Sequence, residues 1–197
     1  MIIYFFMVMI NKKRINVAFF AIFCIIQFMF SMYCRVHGGS VSENVIMQVD
    51  SSKKTAVDAL KVVLADSYSL YLKTQNYHWN ITGPNFISLH KLFEKQYDDL
   101  FKAIDVIAEL IRGLGEKAPG SFEEFIQLAT IKAGNKDASA QDMLNDLIND
   151  QDNIEKSLIA ALKAAQSVDD EVVFGYMVER LTFHRKAKWL LKSCLDR

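Results

Sequence analysis

His78-Trp79-Asn80-Ile81-Thr82-Gly83-Pro84-Asn85-Phe86-Ile87-Ser88-Leu89-His90 is the stretch on which the reading of this chain turns. Its middle, Asn80 to Asn85, carries turn residues, and each end runs into a long helical pattern. Upstream, Val57, Leu60, Leu64, Tyr68, Tyr71, Gln75 and His78 recur at steps of three and four. That spacing marks one helical face and predicts a helix from about Ser52 to Trp79. Downstream, Phe86, Leu89, Phe93, Leu100, Ile104, Ile107 and Ile111 keep the same step. They predict a second helix from about Asn85 to Leu114, with Thr82 as its N-cap, Pro84 near its first turn and Gly115 closing its C-terminus.

The rest of the body is helical too. Ser121-Phe122-Glu123-Glu124 has capping-box form, predicting a short helix from Phe122 to Ala129. Gly134 to Asp137 reads as loop. Ser139 can cap a third long helix, about Ala140 to Ala165, whose buried side holds Leu144, Leu147, Ile154, Leu158 and Leu162. Asp169 or Asp170 can cap a fourth, about Glu171 to Leu195. No strand run and no internal repeat is visible. The expected fold is all-α: a four-helix bundle of ferritin-like arrangement, with a short helix in the long connection between helices two and three.

Composition agrees. The 197 residues include 2 Pro and 8 Gly, and just over half are apolar, which suits long helices with few turns. Acidic and basic residues balance, so global charge does not attract nucleic acid. Residues 1–46 hold four basic groups (Lys12, Lys13, Arg14, Arg35) and one acidic group (Glu43), leaving 19 basic against 22 acidic from Met47 onward. Cys24 and Cys34 lie in or beside the apolar N-terminal run, so the body has the single cysteine Cys194 and no disulfide of its own. That suits a reducing cytosol.

Residues 1–46 read as an apolar N-terminal extension outside a domain over 47–197. Lys12-Lys13-Arg14 precedes an apolar stretch from Ile15 to Tyr33, a signal-like order nearly long enough to span a bilayer. Met32, Tyr33 and Cys34 make a poor cleavage end, and Met47 is the favoured start of a 151-residue domain. The expected location is therefore the cytoplasm. Export or membrane tethering through residues 1–34 is the alternative.

His78, His90, Glu94, Asp105 and Glu109 carry the chemistry. The last four fall within an arc of roughly 100° on the second helix. A histidine and three carboxylates on one face suit a divalent metal, iron among them. His90 and Asp105 stand 15 residues apart, ~22 Å along the axis, so one chain cannot bring both to one metal. Two such helices packed antiparallel about a two-fold axis could. Taken singly, each carboxylate reads as a solvated helix face and His78 as a helix-end group. What lifts the set is that two of the body's three histidines, His184 being the third, belong to it.

The run from His78 to His90, followed by Asp105 and Glu109, resembles the signature of the Dps family (DNA-binding protein from starved cells), the miniferritins. Lys188-Trp189-Leu190-Leu191-Lys192-Ser193 is similar to that family's last helix, and the resemblance covers about residues 50 to 196. It implies a dodecameric shell in which each two-iron ferroxidase centre lies at a two-fold interface. His78, His90 and Glu94 would come from one subunit, Asp105 and Glu109 from its neighbour. Some members carry aspartate where Glu94 stands. Hydrogen peroxide would be the usual oxidant, oxygen the slower one, and the ferric product would be stored in the cavity. The resemblance also implies that Trp79 quenches radicals, with a packed aromatic as the alternative. Asp169, Asp170 and Glu171 would line an acidic pore, with helix capping as the alternative. No Glu-x-x-His occurs, unlike larger ferritins.

DNA binding is expected to be weak or absent. Met47 to Ser52 has no lysine, Lys53-Lys54 sits at the helix start, and the C-terminus ends at Arg197 with no basic tail. The alternative function on the same fold is a non-enzymatic shell protein for DNA compaction, adhesion or immune interaction.

Overall fold

The structure is a computed structural model that describes residues 43–195, with side chains described from Ser51 to Leu195. The expectations for the apolar leader, its basic patch and Cys24 and Cys34 lie outside the described residues. The chain divides into two units, Met1–Ile46 and Met47–Arg197, and the bundle belongs to the second. No helix among the described residues is long and apolar enough to cross a membrane.

The described residues form five helices in order: α1 (Glu43–Asn80), α2 (Phe86–Gly113), the short α3 (Phe122–Leu128), α4 (Ala140–Gln166) and α5 (Glu171–Ser193). The start of α1 corrects the expectation of Ser52. No Gly or Pro lies between Glu43 and Ser52, and extending a helix costs far less than nucleating one. Thr82 is not the cap of α2. That position belongs to Asn85, whose side chain makes no capping bond, because Gly83 takes φ 111° and turns the chain after Thr82. Phe86 was expected on the buried face and is instead exposed, its ring lying 5.0 Å from that of His90. Leu162 is only half-buried.

The other end signals behave as their chemistry requires. Gly115 takes φ 93°, its N–H donates to the Arg112 carbonyl, and the Glu116 N–H donates to Ile111. Together these form a Schellman closure, and the left-handed φ is why glycine stands there. Ser121 and Glu124 exchange both capping-box hydrogen bonds at α3. Ser139 accepts from the Asp142 N–H at α4, and Asp170 accepts from Val172 and Val173 at α5.

Cross-helix pairs reveal the topology. Asp66 meets Ser157, Lys73 meets Asp150 and Tyr77 meets Asp146, so α1 and α4 run antiparallel. Asp152 with Lys188 and Glu155 with Arg185 set α5 antiparallel to α4. His78 with His90 and Tyr71 with Tyr97 set α2 antiparallel to α1. Hence α2 and α4 point the same way, and the chain must cross the bundle's full length between them. The segment holding α3 makes that crossing. Its end is pinned by buried Asp66, whose carboxylate accepts from Thr130 N at 2.6 Å, Ile131 N at 3.2 Å and Ser157 Oγ at 2.6 Å. The apolar core fills the space between, with Leu60, Leu64, Phe93, Ile107, Leu147, Ile154 and Met177 all fully buried.

One core group makes folding pH-sensitive. His184 is buried, and its Nδ1 donates to Gln151 Oε1 at 2.7 Å. Burial first, then the Arg180 guanidinium, pushes its pKa well below the ordinary value. The unfolded chain therefore binds a proton that the folded chain refuses. Stability is complete above the ordinary histidine value of about 6.5 and falls as pH drops below it, by up to ~1.4 kcal/mol per pH unit. Thermal melts from pH 7 to 5 should show His184→Gln losing less stability than wild type over that window. An identical slope in both proteins would remove His184 as the cause.

Candidate metal centre

The turn between α1 and α2 folds the last turn of one helix against the second turn of the next. His78 and His90 meet there with their rings stacked, centroids 3.7 Å apart and planes 18° from parallel. Each ring is held by the other's backbone: His78 Nδ1 lies 2.8 Å from the His90 carbonyl, and His90 Nδ1 lies 2.8 Å from the His78 carbonyl. A carbonyl oxygen only accepts, so each Nδ1 carries the proton and donates. In the neutral ring each Nε2 then keeps its lone pair. A ring oriented by an Nδ1–H bond to a carbonyl is the usual preparation of an imidazole metal ligand. His78 is buried and His90 half-buried.

Around the pair stand Tyr97, edge-on to His78 at 5.1 Å, and Phe86 over His90. Burial pushes the Tyr97 phenol above its ordinary value, and the charges of Asp98 and Glu94 add to that, so it stays protonated at neutral pH. Glu94 follows His90 by one helical turn and is exposed. Asp105 and Glu109 are exposed farther along α2. Glu109 lines a groove of about 360 Å³ with Val106, Leu110, Asp170 and Val172, where the end of α2 meets the start of α5. The structure thus brings His78 and His90 together and leaves Asp105 and Glu109 apart from them on the same chain. Among the described residues, no group of three His, Cys, Asp or Glu side chains gathers as a metal site within one chain.

Trp79 is 62% exposed and lines an apolar groove of about 770 Å³ between α1 and α3, with Leu72, Phe122 and Ile126. Asp170 is committed to capping α5, Asp169 adopts φ 54° on the surface, and Glu171 is exposed in the first turn of α5. Tyr97 was missed from sequence. Its signal was present, since it lies seven residues from His90 and three from Glu94, on their helical face.

Comparison with known proteins gives the same picture. Residues 57–197 match the ferritin-like domain family. An uncharacterized low temperature-induced protein of Nostoc is 35% identical over 75% of this chain and 83% of its own. A DNA protection during starvation protein of Brevibacillus brevis is 30% identical over 73% of this chain and 99% of its own. The crystal structure of a Dps protein from Vibrio cholerae, described as a member of a broad superfamily of ferritin-like diiron-carboxylate proteins, superposes with a TM-score of 0.71. It is 28% identical and covers 74% of this chain and 92% of that one. A four-helix bundle with one long crossing, the His78-to-His90 run and these matches together place the chain in the Dps family of ferritin-like proteins.

Proposed function

We propose that this protein stores iron and protects the cell and its DNA from oxidative damage, acting as a ferroxidase that oxidises Fe(II) with hydrogen peroxide. The observation that carries the reading is the reciprocal Nδ1 bonding of the stacked His78 and His90 rings, which turns the Nε2 edge of each neutral ring to ligand use. Two imidazoles alone are a poor site for iron, which needs carboxylates to offset its charge. Glu94 is one turn away; Asp105 and Glu109 are too far along α2 to join. A two-fold partner with an antiparallel α2 supplies them. Two equivalent sites then form at each two-fold interface, each holding two irons between His78, His90 and Glu94 of one subunit and Asp105 and Glu109 of the other. The carboxylates favour Fe(III) over Fe(II), which drives oxidation. Paired oxidation consumes peroxide without releasing hydroxyl radical.

Exposed Leu72, Trp79, Phe122 and Ile126 support self-association, since an apolar patch of this kind is rarely left open to water. The shell is proposed to be a dodecamer that holds the ferric product, with Asp169, Asp170 and Glu171 near its entry. The capping role of Asp170 makes it the weakest of the three for that task. Cytoplasmic location and weak or absent DNA binding complete the reading.

The shared site is tested by complementation. One variant carries His78→Ala and His90→Ala; the other carries Asp105→Ala and Glu109→Ala. Each alone is expected to be inactive. In a randomly mixed shell, half of the two-fold pairs are hybrid and each hybrid regains one of its two sites. Co-assembly should restore about a quarter of wild-type Fe(II) oxidation. Mixed shells as inactive as the parents would show that the ligands do not combine across subunits.

A further inference from the structure

The core face of α2 is apolar except at one place. Leu89, Phe93, Leu100, Ala103 and Ile107 are buried along it, and Gln96 stands among them at 4% exposure. Among the described residues, neither the amide nitrogen nor the amide oxygen of Gln96 has a hydrogen-bond partner. A second orphan comes from α5. Arg180 is buried too, and its Nη1 donates to Asp99 of α2 at 2.6 Å, while its Nη2 has no partner among the described residues. Since α5 runs antiparallel to α2, the residues that follow Arg180 lie beside those that precede Asp99. The guanidinium leans that way, its carbon 4.5 Å from the centre of the Phe183 ring. Gln96 stands one turn before Asp99, on the core side. Helical register thus brings the Gln96 amide and Nη2 of Arg180 to one level between α2 and α5.

Buried amide and guanidinium nitrogens are almost always bonded, because leaving one unpaired in an apolar core is costly. Packing alone would have been served by leucine, as at Leu100. Another subunit cannot supply the partner, since both groups are buried within one chain. Nor does an ion fit. Asp99 already meets the Arg180 charge, so an added anion would stand unpaired, and a cation would meet the guanidinium. What fits is small, neutral and able both to donate and to accept. We propose that Gln96 and Arg180 form a binding site for a hydroxylic molecule between α2 and α5, and that its occupant is water. The water accepts from Arg180 Nη2 and Gln96 Nε2 and donates to Gln96 Oε1, about three bonds, as is usual for a buried water. Hydrogen peroxide has the same bonding chemistry, but water is present in vast excess over it. The bound water ties the middle of α2 to α5. It fixes the register of the helix that carries His90, Glu94, Asp105 and Glu109, as a buried polar contact does where apolar packing alone tolerates slip. The inference holds whatever reaction the histidine pair supports.

The test is a crystal structure of the full-length assembled protein, from crystals grown with and without hydrogen peroxide, beside that of Gln96→Leu. Wild type should show an ordered water about 3 Å from both the Gln96 amide and Arg180 Nη2. The peak should be the same with peroxide and absent in Gln96→Leu, where the Asp99–Arg180 pair remains. In solution, oxygen-17 relaxation dispersion should find fewer long-lived waters per subunit in Gln96→Leu than in wild type. Wild-type crystals in which Gln96 bonds directly to a protein group, with no water beside it, overturn the proposal. So does a peak that appears only with peroxide and has the length of a two-oxygen molecule, which would give the site to the oxidant. An equal number of long-lived waters in both proteins removes Gln96 as the anchor. If Gln96→Leu does not assemble, the wild-type peak alone decides.

Discussion

Replacing His78 and His90 together by alanine should reduce peroxide-driven Fe(II) oxidation by about a hundredfold or more while leaving the shell assembled. The magnitude follows from the charge stabilisation a bound metal site supplies, several kcal/mol, at ~1.4 kcal/mol per tenfold in rate. The fold should survive for a structural reason. The two imidazoles bond only to backbone carbonyls, one in the last turn of α1 and one in the second turn of α2, and neither ring belongs to the apolar core that holds the bundle together. Anaerobic stopped-flow with added peroxide measures the rate, and light scattering measures the assembly. If the double variant assembled and oxidised iron as fast as wild type, the iron site would lie elsewhere. A binding or structural role for the His78 turn would then lead.

The second large effect is on stability. Lys73 is 3% exposed, and its ammonium lies 2.5 Å from Asp150 and 3.1 Å from Asp146. Burial pushes the Asp150 carboxyl above its ordinary value, and Lys73 pulls it back. Lys73→Met removes the cation that faces both carboxylates and leaves Asp150 uncompensated in the core. Breaking a buried pair in this way costs about 3–5 kcal/mol. For a domain of this size that lowers the melting temperature by roughly 10 °C. Melts must be run at matched protein concentration, since assembly itself shifts the midpoint. Lys73→Met/Asp150→Leu should recover most of the loss, because an apolar pair of similar volume is often as stable as the ions it replaces. An unchanged midpoint in Lys73→Met would mean that water already screens the site.

The sequence by itself determined what depends on near neighbours. Helical periodicity placed the four long helices, and Gly115, Ser121, Ser139 and Asp170 marked their ends, because caps and Schellman turns are bonds between residues three to five apart. The twelve-residue spacing of His78 and His90 likewise spans a single turn, and it belongs to the motif that carried the family resemblance. Boundaries were less legible: α1 starts before Ser52, and Asn85, not Thr82, begins α2, since a left-handed Gly83 can be read as a turn but its exit angle cannot.

Tertiary structure alone decided the rest. Whether Trp79 and Phe86 turn outward depends on which neighbouring helices cover those faces, and the stripes on α1 and α2 do not say. The reciprocal hydrogen bonds that assign the His78 and His90 protons, the insertion of Tyr97 between Tyr71 and His78, and the burial of Lys73 with Asp150 all join separate helices. Asp66 binds partners 64 and 91 residues away. Such contacts are set by helix register and crossing, properties of the packed bundle that no local pattern of residues encodes.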